Sequence, residues 1–348
     1  MKVLITGNMG YIGPSVADQI KASYPDSTVV GLDEGFFAHC LTGATMLPET
    51  RIDQQLYGDV RTLNADMLQG FDAVVHLAAV SNDPMGKTFE QVTDAINCQS
   101  SIRLAEMAKA AGVKNYVFAS SCSVYGCAEG GPRSENDELN PLTAYARSKI
   151  GTEQGVAPLA DDNFVVTCLR FATACGMSER TRLDLVLNDF VAGAVTTGEI
   201  SILSDGTPWR PLIHIKDMAR AIDWGVSRQA DNGGNFLAVN AGSDEWNYQV
   251  KDLAAAVEQV VPNTKVSINP DAVPDKRSYQ VSFAKFRELA PNHQPQVSLI
   301  EAVEGLKAGL EAMGFNDANF RESEYIRLRV LNGHLDNQRI NRDLHWTR

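Results

Sequence analysis

A glycine-rich turn between an apolar run and an amphipathic segment limits most strongly what this chain can fold into. The run KVLITG is rich in β-forming residues. Its last two residues begin the segment TGNMGYIG, which contains the three glycines Gly7, Gly10 and Gly13. The next residues carry apolar side chains at helical spacing. Glycines placed in this way allow a tight turn, close approach of backbone N–H groups to a pyrophosphate, and close packing of helix on strand. The pattern predicts a strand, a phosphate-binding turn and a helix.

Acidic residues follow the next two predicted strands. Asp33 stands 20 positions after Gly13, at the end of the second strand. A carboxylate there accepts hydrogen bonds from the hydroxyls of an adenosine ribose and would repel a 2′-phosphate. No Arg or Lys follows in DEGFFAHC, so the sequence favours NAD over NADP. Asp59, in the GDV that follows the third strand, is interpreted either as a contact to the adenine amino group or as a solvated turn residue.

Predicted strands and helices alternate from residue 1 to about residue 172. This rhythm is typical of βαβ units and predicts an α/β fold with a Rossmann-type, doubly wound parallel sheet. After Ala174 the rhythm loosens, although the segment ERTRLDLVLNDFVAGAVTTG is predicted to be a helix. We expect an NAD-binding domain over residues 1–173, to which 211–241 return. A smaller C-terminal α/β substrate lobe is expected from 174–210 and 242–348.

Composition narrows the function classes. The 348 residues carry a formal net charge of −12, so nucleic acid and anionic membranes are not expected as partners. No apolar run reaches the roughly 18 residues of a membrane span, and no secretory signal is visible, which favours a cytoplasmic protein. The six cysteines form no CxxC pair and have no histidine cluster beside them. They are therefore expected to be buried, reduced thiols, and no metal site is expected.

Two further motifs carry hydroxyl groups suited to proton transfer. YARSK places Tyr145 and Lys149 one helical turn apart on one face. A phenol has an ordinary pKa near ~10, and a nearby ammonium together with a bound nicotinamide would lower it toward the range of an efficient base. FASSCSVYG puts three serines at the end of the preceding strand. One of these hydroxyls can share a hydrogen bond to a substrate oxygen with the phenol.

Together these motifs resemble the extended short-chain dehydrogenase/reductase superfamily, in particular its nucleotide-sugar epimerase and dehydratase branch. The resemblance extends over GDVR, HLAA, LRFATACG and RPLIHIKDMARA. It implies NAD as cofactor, a nucleotide-diphosphate sugar as substrate, and Ser121, Tyr145 and Lys149 as catalytic residues. The cofactor contacts that it implies are Gly7, Gly10, Tyr11, Ile12, Gly13, Asp33, Asp59, Val60, Leu77, Ala78, Ala79, Tyr145 and Lys149. The implied substrate contacts are Ser81, Ser121, Ser123, Tyr145, Thr173, Asn188, Arg210 and Arg277.

The residues after Ser121 separate the reactions of this branch. Dehydratases have acidic residues there, whereas this chain has Cys122 and Ser123. Related enzymes with a reactive cysteine have it at the position of Ser123, and a shift of one position along an extended segment turns a side chain to the opposite face. Cys122 is therefore expected to be buried and inert. The pattern most resembles UDP-galactose 4-epimerase, which implies epimerisation at sugar C4 through a 4-keto intermediate.

Two alternatives remain open, and one assembly is expected. A 4-ketosugar reductase, dehydrogenase or dehydratase would use the same scaffold. A non-catalytic NAD-sensing regulator would have no need of Ser121, Tyr145 and Lys149 together. By resemblance, the helices SIRLAEMAKAAG and PLTAYARSKIGTEQG would pair across a two-fold axis in a homodimer. Small residues on the second helix, Gly151 and Gly155 among them, would permit a close approach.

Overall fold

The computed structural model describes residues 1–127, 130–269, 272 and 278–347. The first six strands of this part lie before residue 172 and the others after it. The strands are β1 Lys2–Thr6, β2 Thr28–Asp33, β3 Gln54–Tyr57, β4 Ala73–His76, β5 Asn115–Ser121, β6 Val165–Phe171, β7 Thr173–Cys175, β8 Glu199–Ile202, β9 Trp209–His214, β10 Phe236–Ala241, β11 Asn247–Gln249 and β12 Lys265–Ile268.

α-Helices connect about half of these strand pairs, and 3₁₀ turns or loops connect the others. The α-helices are α1 Gly13–Ser23, α2 Asp83–Thr88, α3 Glu90–Asp94, α4 Ser100–Ala110, α5 Ala144–Val156, α6 Val186–Thr197, α7 Ile215–Ser227, α8 Val250–Val260, α9 Ala284–Leu289, α10 Leu299–Ala312 and α11 Arg327–Asp336. One π turn, Ala95–Gln99, joins α3 to α4.

Seven parallel strands form the central sheet, in the order β3-β2-β1-β4-β5-β6-β10. The chain starts in the middle with β1, winds outward through β2 and β3, and then winds to the other side from β4. Strands covered on both faces are nearly all apolar, as β4 and β6 are. The predicted α/β fold with a doubly wound, Rossmann-type sheet is therefore confirmed.

Helices cover both faces of this sheet. Helices α1 and α7 pack on each other over one face, where Val16 and Ile20 share an apolar cluster with Ile222. Helices α4 and α5 lie over the other face, where Leu104 and Val156 share a second cluster. The two layers bury the sheet and leave the ends of its strands as the place where polar side chains can gather.

Two parts of the chain differ from the secondary structure predicted from the sequence. The connections from β2 to β3 and from β3 to β4 contain 3₁₀ turns and no α-helix, so the expected alternation of strand and helix fails at both. Helix α6 begins at Val186, whereas its apolar spacing suggested a start near residue 179. Residues 179–185 are instead held in a loop, and they contribute buried arginines to the site described below.

A smaller layer of structure follows β6. Strands β7, β9 and β11 form one sheet, β8 and β12 form another, and α6, α8 and α10 pack together beside them around a third apolar cluster. Two segments of the expected substrate lobe pack elsewhere. Phe283 and Phe286 join the cluster beneath α1 and α7, and Ile340 and Leu344 join the cluster of the opposite face. The division into two domains remains a prediction.

The small residues of α5 pack inside their own chain. A Cβ added at Gly151 would lie 2.8 Å from Cys98 Sγ, and one at Gly155 would lie 2.2 Å from Ile102 Cδ1. The small side chains therefore allow α5 to approach the π turn and α4 closely, and they give no separate support for a contact between subunits. The homodimer remains a prediction of the family resemblance.

Two expectations from composition can be compared with the described residues. Over that part of the chain, no helix is long and apolar enough to cross a membrane, and no group of three or more His, Cys, Asp or Glu side chains could hold a metal ion. All six cysteines are free thiols. Four of them are buried as expected, but Cys98 is only partly buried and Cys127 is exposed.

Two helical glycines give a matched test of this packing. A Cβ at Gly193 in α6 would lie 2.8 Å from the carbonyl oxygen of Glu199, whereas a Cβ at Gly305 in α10 would meet no described atom within 4 Å. We expect Gly193→Ala to lower the free energy of unfolding by about 1–3 kcal/mol because the backbone of β8 must shift. Gly305→Ala should raise it by about 0.5–1 kcal/mol. Urea unfolding measures both, and a Gly193→Ala chain as stable as the unsubstituted one would contradict the tight packing.

Candidate functional site

The candidate site lies at the carboxyl edge of the central sheet. The parallel register sets Thr6 beside His76, and His76 beside Phe118. Consequently the turn after β1, the LAA segment after β4 and the serine run after β5 all leave the sheet at one edge. Ligands of open α/β sheets bind in the crevice at this edge, where the strand order reverses. Here it reverses between β1 and β4.

The glycine turn after β1 leaves no room for side chains. Gly7 has a φ of +74°, and a Cβ there would lie 2.5 Å from the backbone nitrogen of Ala78. A Cβ at Gly13 would lie 1.9 Å from the carbonyl oxygen of Asn8. Gly10 is less enclosed than Gly7 and Gly13, since among the described atoms a Cβ there would meet only the Gly7 carbonyl oxygen within 4 Å. The turn therefore presents bare backbone to the crevice.

The first turn of α1 is suited to hold an anion. Ile12 occupies the N-cap position and provides no side-chain cap, and no acidic residue lies in the first turn. The backbone N–H groups of a helix start have no partner within the helix, and the helix dipole adds positive potential there. Together with the bare glycine turn, this chemistry fits the diphosphate of NAD.

Asp33 lies at the end of β2, beside this turn. Its carboxylate accepts hydrogen bonds from the backbone N–H groups of Met9, at 3.1 Å, and Gly35, at 2.8 Å. Burial still raises the pKa of Asp33 above its ordinary value. Arg180, fully buried and paired with Glu49, is also near enough to act on Asp33. Sequence reasoning searched for a cation only in the residues after Asp33, and the structure brings one from the loop before α6.

Asp59 and Val60 follow β3 on the same side of the sheet. The Asp59 carboxylate accepts hydrogen bonds from the backbone N–H of Arg61, at 2.7 Å, and from its Nε, at 2.8 and 3.0 Å. Asp59 therefore caps the short turn that contains Val60 and pairs with a cation. Both residues are buried. A contact from Asp59 to adenine remains a prediction.

Ser121, Tyr145 and Lys149 are brought together by β5 and α5. The Thr143 side chain caps α5 by accepting a hydrogen bond from Ala146 N–H, which fixes where the helix starts and so places Tyr145 in its first turn. The Ser121 hydroxyl lies close enough to the Tyr145 phenol to lower its pKa by a hydrogen-bonding interaction. Lys149 Nζ lies 5.4 Å from the centre of the Tyr145 ring.

Burial dominates the electrostatics of this group. It raises the pKa of Tyr145 to about 12, although the hydrogen bond with Ser121 opposes the shift. It also lowers the pKa of Lys149, 3% exposed, to about 7, against the attraction of Glu153. Lys149 was expected to lower the pKa of Tyr145. In the chain alone this pKa is raised instead, because desolvation outweighs the effect of the nearby amine.

The serine run divides into four different environments. The Ser120 hydroxyl donates to Glu153 Oε1 at 2.5 Å, inside the protein. The Cys122 thiol is fully buried and donates to the carbonyl of Arg170 at 3.1 Å. Burial raises its pKa well above the ordinary value, so the structure agrees with an inert thiol. The Ser123 Oγ is buried and has no partner among the described residues. Of these four side chains, Ser121 is the one whose hydroxyl is close enough to Tyr145 to lower the pKa of the phenol.

The residues expected to contact substrate occupy several elements. Thr173 on β7 and Arg210 on β9 belong to one small sheet, and Arg210 Nη1 donates to the Trp209 carbonyl at 2.9 Å. Ser81 follows β4, and its hydroxyl accepts a hydrogen bond from Arg182 Nη1 at 3.0 Å. Arg277 lies outside the described residues. Leu77, Ala78 and Ala79 follow β4 at the rim of the crevice, all partly exposed.

Asn188 and Tyr11 have contacts that differ from the expectation. Asn188 is fully buried: its amide nitrogen donates to Tyr11 Oη and to the Arg182 carbonyl, and its oxygen accepts from Gly176 N–H. The Tyr11 hydroxyl donates to the carbonyl of Gly176. These groups tie α6 and the loop before it to the glycine turn, so Asn188 supports the site from inside the protein, and its contact with substrate remains a prediction.

Sequence reasoning missed a charged group beside Tyr145. Arg182 is buried, pairs with Asp184 at 2.9 Å, and is close enough to Tyr145 to lower the pKa of the phenol, while Asp83 raises it. Asn82 Nδ2 also donates to Asp184 at 2.8 Å, which connects this pair to the segment after β4. The available signal was the Arg-x-Asp triplet in a segment interpreted as helix, where solvent-exposed charges are common.

Glu34, next to Asp33, provides a test of the charge balance at this edge. Burial and the nearby Asp59 raise the pKa of Glu34 from 4.5 to about 8. Ionising this carboxyl therefore costs the folded state stability, progressively as the pH rises from about 4.5 to about 8. Glu34→Gln is neutral at every pH, so it should match the unsubstituted chain near pH 5 and exceed its melting temperature above pH 8.

Thermal unfolding between pH 5 and pH 9 measures this difference. Glu258→Gln, at an exposed position of α8, is the matched control, and it should give a small and nearly constant offset. An offset for Glu34→Gln that is equally large at pH 5 and pH 9 would show that the effect is not one of ionisation.

Known proteins with related sequences were compared with the whole chain. The UDP-glucose 4-epimerase of Corynebacterium glutamicum is 26% identical over 322 residues, which cover 86% of this chain and 94% of that protein. The human UDP-glucose 4-epimerase is 30% identical over 254 residues, which cover 63% of this chain and 71% of that protein.

Solved structures give the same result at the level of the fold. MoeE5 in complex with UDP-glucose and NAD superposes with a TM-score of 0.75 at 26% identity, covering 89% of this chain and 99% of that one. TunA, described as an NAD-dependent NDP-hexosamine 5,6-dehydratase, superposes with a TM-score of 0.74 at 25% identity, covering 91% of this chain and 99% of that one.

The sequence profile of a protein family matches residues 3–242. This range contains the glycine turn, all seven strands of the central sheet, and the residues Ser121, Tyr145 and Lys149. The chain belongs to the NAD dependent epimerase/dehydratase family, and NAD is its cofactor.

Proposed function

We propose that this protein is an epimerase that inverts C4 of a UDP-linked sugar through a 4-keto intermediate. The observation that carries the proposal is the grouping of three side chains at the crevice edge: the Ser121 hydroxyl is close enough to Tyr145 to act on the pKa of the phenol, and Lys149 Nζ lies 5.4 Å from the Tyr145 ring centre, one helical turn away. The inert Cys122 and the neutral Ser123 support it, because a dehydratase needs an acid–base pair for the leaving water and these positions supply none.

The chain's own groups divide the chemistry between them. Tyr145 would take the proton of the sugar 4-hydroxyl as C4 is oxidised, and would return it when C4 is reduced from the opposite face of the sugar. Ser121 would hydrogen-bond the same oxygen at both stages and keep it in line with the phenol. Lys149, held by its hydrogen bond to the Ala119 carbonyl at 2.7 Å, would orient the nicotinamide ribose.

The electrostatic setting explains why the phenol needs an additional positive charge. Tyr145 alone is protonated at neutral pH, since its pKa is raised to about 12. When bound, NAD⁺ supplies a positive charge beside the phenol and a carrier for the hydride of C4. The buried Arg182 adds to this charge, whereas Asp83 opposes it. Tyr145 is therefore activated as a base when the bound cofactor is in its oxidised form, NAD⁺.

The substrate class is proposed from the relatives and from the positions of two arginines. MoeE5 is solved with UDP-glucose and with UDP-glucuronic acid, and the relatives in sequence are named UDP-glucose 4-epimerases. Arg210 and Arg277 are proposed to hold the diphosphate, because guanidinium groups match phosphate oxygens in geometry and charge. The preference for NAD over NADP, argued from Asp33, belongs to the same proposal.

Product analysis tests this function directly. The purified protein is incubated with UDP-glucose, UDP-galactose, UDP-glucuronic acid and UDP-N-acetylglucosamine, and the product sugars and free NADH are followed together. We expect a C4 epimer without net formation of NADH. Stoichiometric NADH would indicate a dehydrogenase, and a product that has lost water, either a 4-keto-6-deoxy sugar or a 5,6-unsaturated sugar, would indicate a dehydratase. NAD binding without turnover would favour a regulator.

Removal of one hydroxyl tests the proton-transfer group. Tyr145→Phe should lower kcat by roughly 10²–10⁴-fold, the usual range for a positioned acid–base group. Its affinity for NAD should change little, because the ring and its packing remain. Ser121→Ala should also lower kcat, through loss of the shared hydrogen bond. Kinetics on the preferred UDP-sugar, with calorimetry of NAD binding, separate the two effects.

Cys122→Ala is the control, since it changes the residue beside Ser121 but not the hydroxyl pair. It should keep most of the activity, because the thiol faces the Arg170 carbonyl inside the protein. Near-normal turnover by Tyr145→Phe would exclude the mechanism, and an inactive but folded Cys122→Ala protein would instead point to a reactive thiol.

A further inference from the structure

The last part of the described chain returns to the edge of the sheet where the adenosine is expected. We call residues 339–347 the strap. Its Trp346 Nε1 donates to the Glu34 carbonyl at 2.9 Å, and the indole lies against Phe36 with ring centres 5.2 Å apart. These contacts fall one and three residues after Asp33, on the loop that would border the ribose.

The strap also reaches the second acidic residue of this edge. His345 Nδ1 lies 3.2 Å from Asp59 Oδ2 and 3.0 Å from Arg61 Nη2. Arg61 in turn donates to the carbonyls of Asp343, at 2.6 Å, and Leu344, at 2.9 Å. The same guanidinium binds the Asp59 carboxylate. The orientation of Asp59 therefore depends on the strap through two side chains.

The strap has a defined structure of its own. Ile340 and Leu344 are buried in the apolar cluster that also contains Leu32 and Val60. The Asn341 side chain accepts hydrogen bonds from the N–H groups of Asp343 and His345, at 3.0 Å each. Residues so anchored can serve as a wall, and they can transmit any change at their surface to Leu32 and Val60, the neighbours of Asp33 and Asp59.

Trp346 is one of the strap residues that face solvent. Trp346 is 42% exposed, and its indole contacts the rings of Phe36 and His334. His334 also binds the carbonyl of Phe36 at 2.9 Å. The loop after Asp33 is thus held by three contacts from beyond residue 330, and a loop held in this way loses less entropy when a ligand binds against it.

We propose that the strap is the outer wall of the adenosine site and that Arg61, His345 and Trp346 are positioning residues for NAD. Arg61 and His345 fix the Asp59 carboxylate, and Trp346 fixes the loop from Glu34 to Phe36. The proposal rests on the assigned position of the adenosine and not on the reaction. Its effect is slow release of the cofactor, which suits an enzyme that oxidises and reduces its substrate within one binding event.

Binding measurements on full-length protein freed of NAD test the proposal. Trp346→Ala and His345→Gln should weaken the binding of NAD and of ADP-ribose by the same factor, about tenfold each, the scale of losing one hydrogen bond and its ring contact. The affinity for UDP should stay unchanged, because UDP belongs to the other half of the crevice. Ile268→Ala on β12, with similar exposure at 44%, is the control and should change neither affinity.

Equal loss of NAD and UDP affinity in Trp346→Ala would assign the strap a merely structural role and overturn the proposal. So would an NAD affinity within twofold of the unsubstituted protein. A protein that fails every UDP-sugar assay, yet shows the selective loss of ADP-ribose affinity, would lose its proposed function and keep this inference.

Hydrogen exchange gives a second measurement that needs no substitution. ADP-ribose at about 100 times its Kd should slow exchange of the amides of residues 339–347 by about tenfold or more, because ligand binding and the ordered strap stabilise each other. UDP at the same excess should leave them unchanged. Strap amides whose exchange is unaffected by ADP-ribose would overturn the proposal.

Discussion

The close contact between the glycine turn and the strand beside it is the constraint on which the site depends. Gly7 lies against the backbone of Ala78, and Gly13 lies against the backbone of Asn8, at distances where no Cβ fits. These contacts bring the start of α1 and the end of β4 to one crevice. The proposed binding of the diphosphate at α1 and that of the sugar at Tyr145 both require that no side chain fills the space at this point.

Desolvation then sets the chemistry of the groups around the crevice. Burial lowers the pKa of Lys149 to about 7, and it raises the pKa of Tyr145 to about 12. In the proposed mechanism the phenol acts as a base only when more positive charge is present, and Arg182 would supply a part of that charge from a loop far away in sequence. Charge from distant segments thus completes a helix-based pair of residues.

The sequence was sufficient for a doubly wound parallel sheet, because the alternation of predicted strands and helices implies one. Spacing indicated that one serine of the run after β5 lies near Tyr145, and the family resemblance selected Ser121. It was insufficient for Arg180 and Arg182, which lie in a loop that carries helical spacing but is bent by its buried ion pairs. Asn188 was assigned to substrate because an exposed amide and a buried one look alike in sequence. Contacts between residues that are far apart in the chain, such as those of Arg61, leave no periodic signal.

The return of residues 339–347 to the loop after β2 also bears on how the molecule folds. The bond from Trp346 to Glu34 spans 312 positions, and Leu344 completes an apolar cluster that β1 and β2 begin. Pairings of such separation form late, since the entropy of closing a long loop must first be overcome. During synthesis, the part of this apolar surface that Ile340 and Leu344 cover would stay in contact with water until those residues had emerged, so this part is where a chaperone would find the nascent chain.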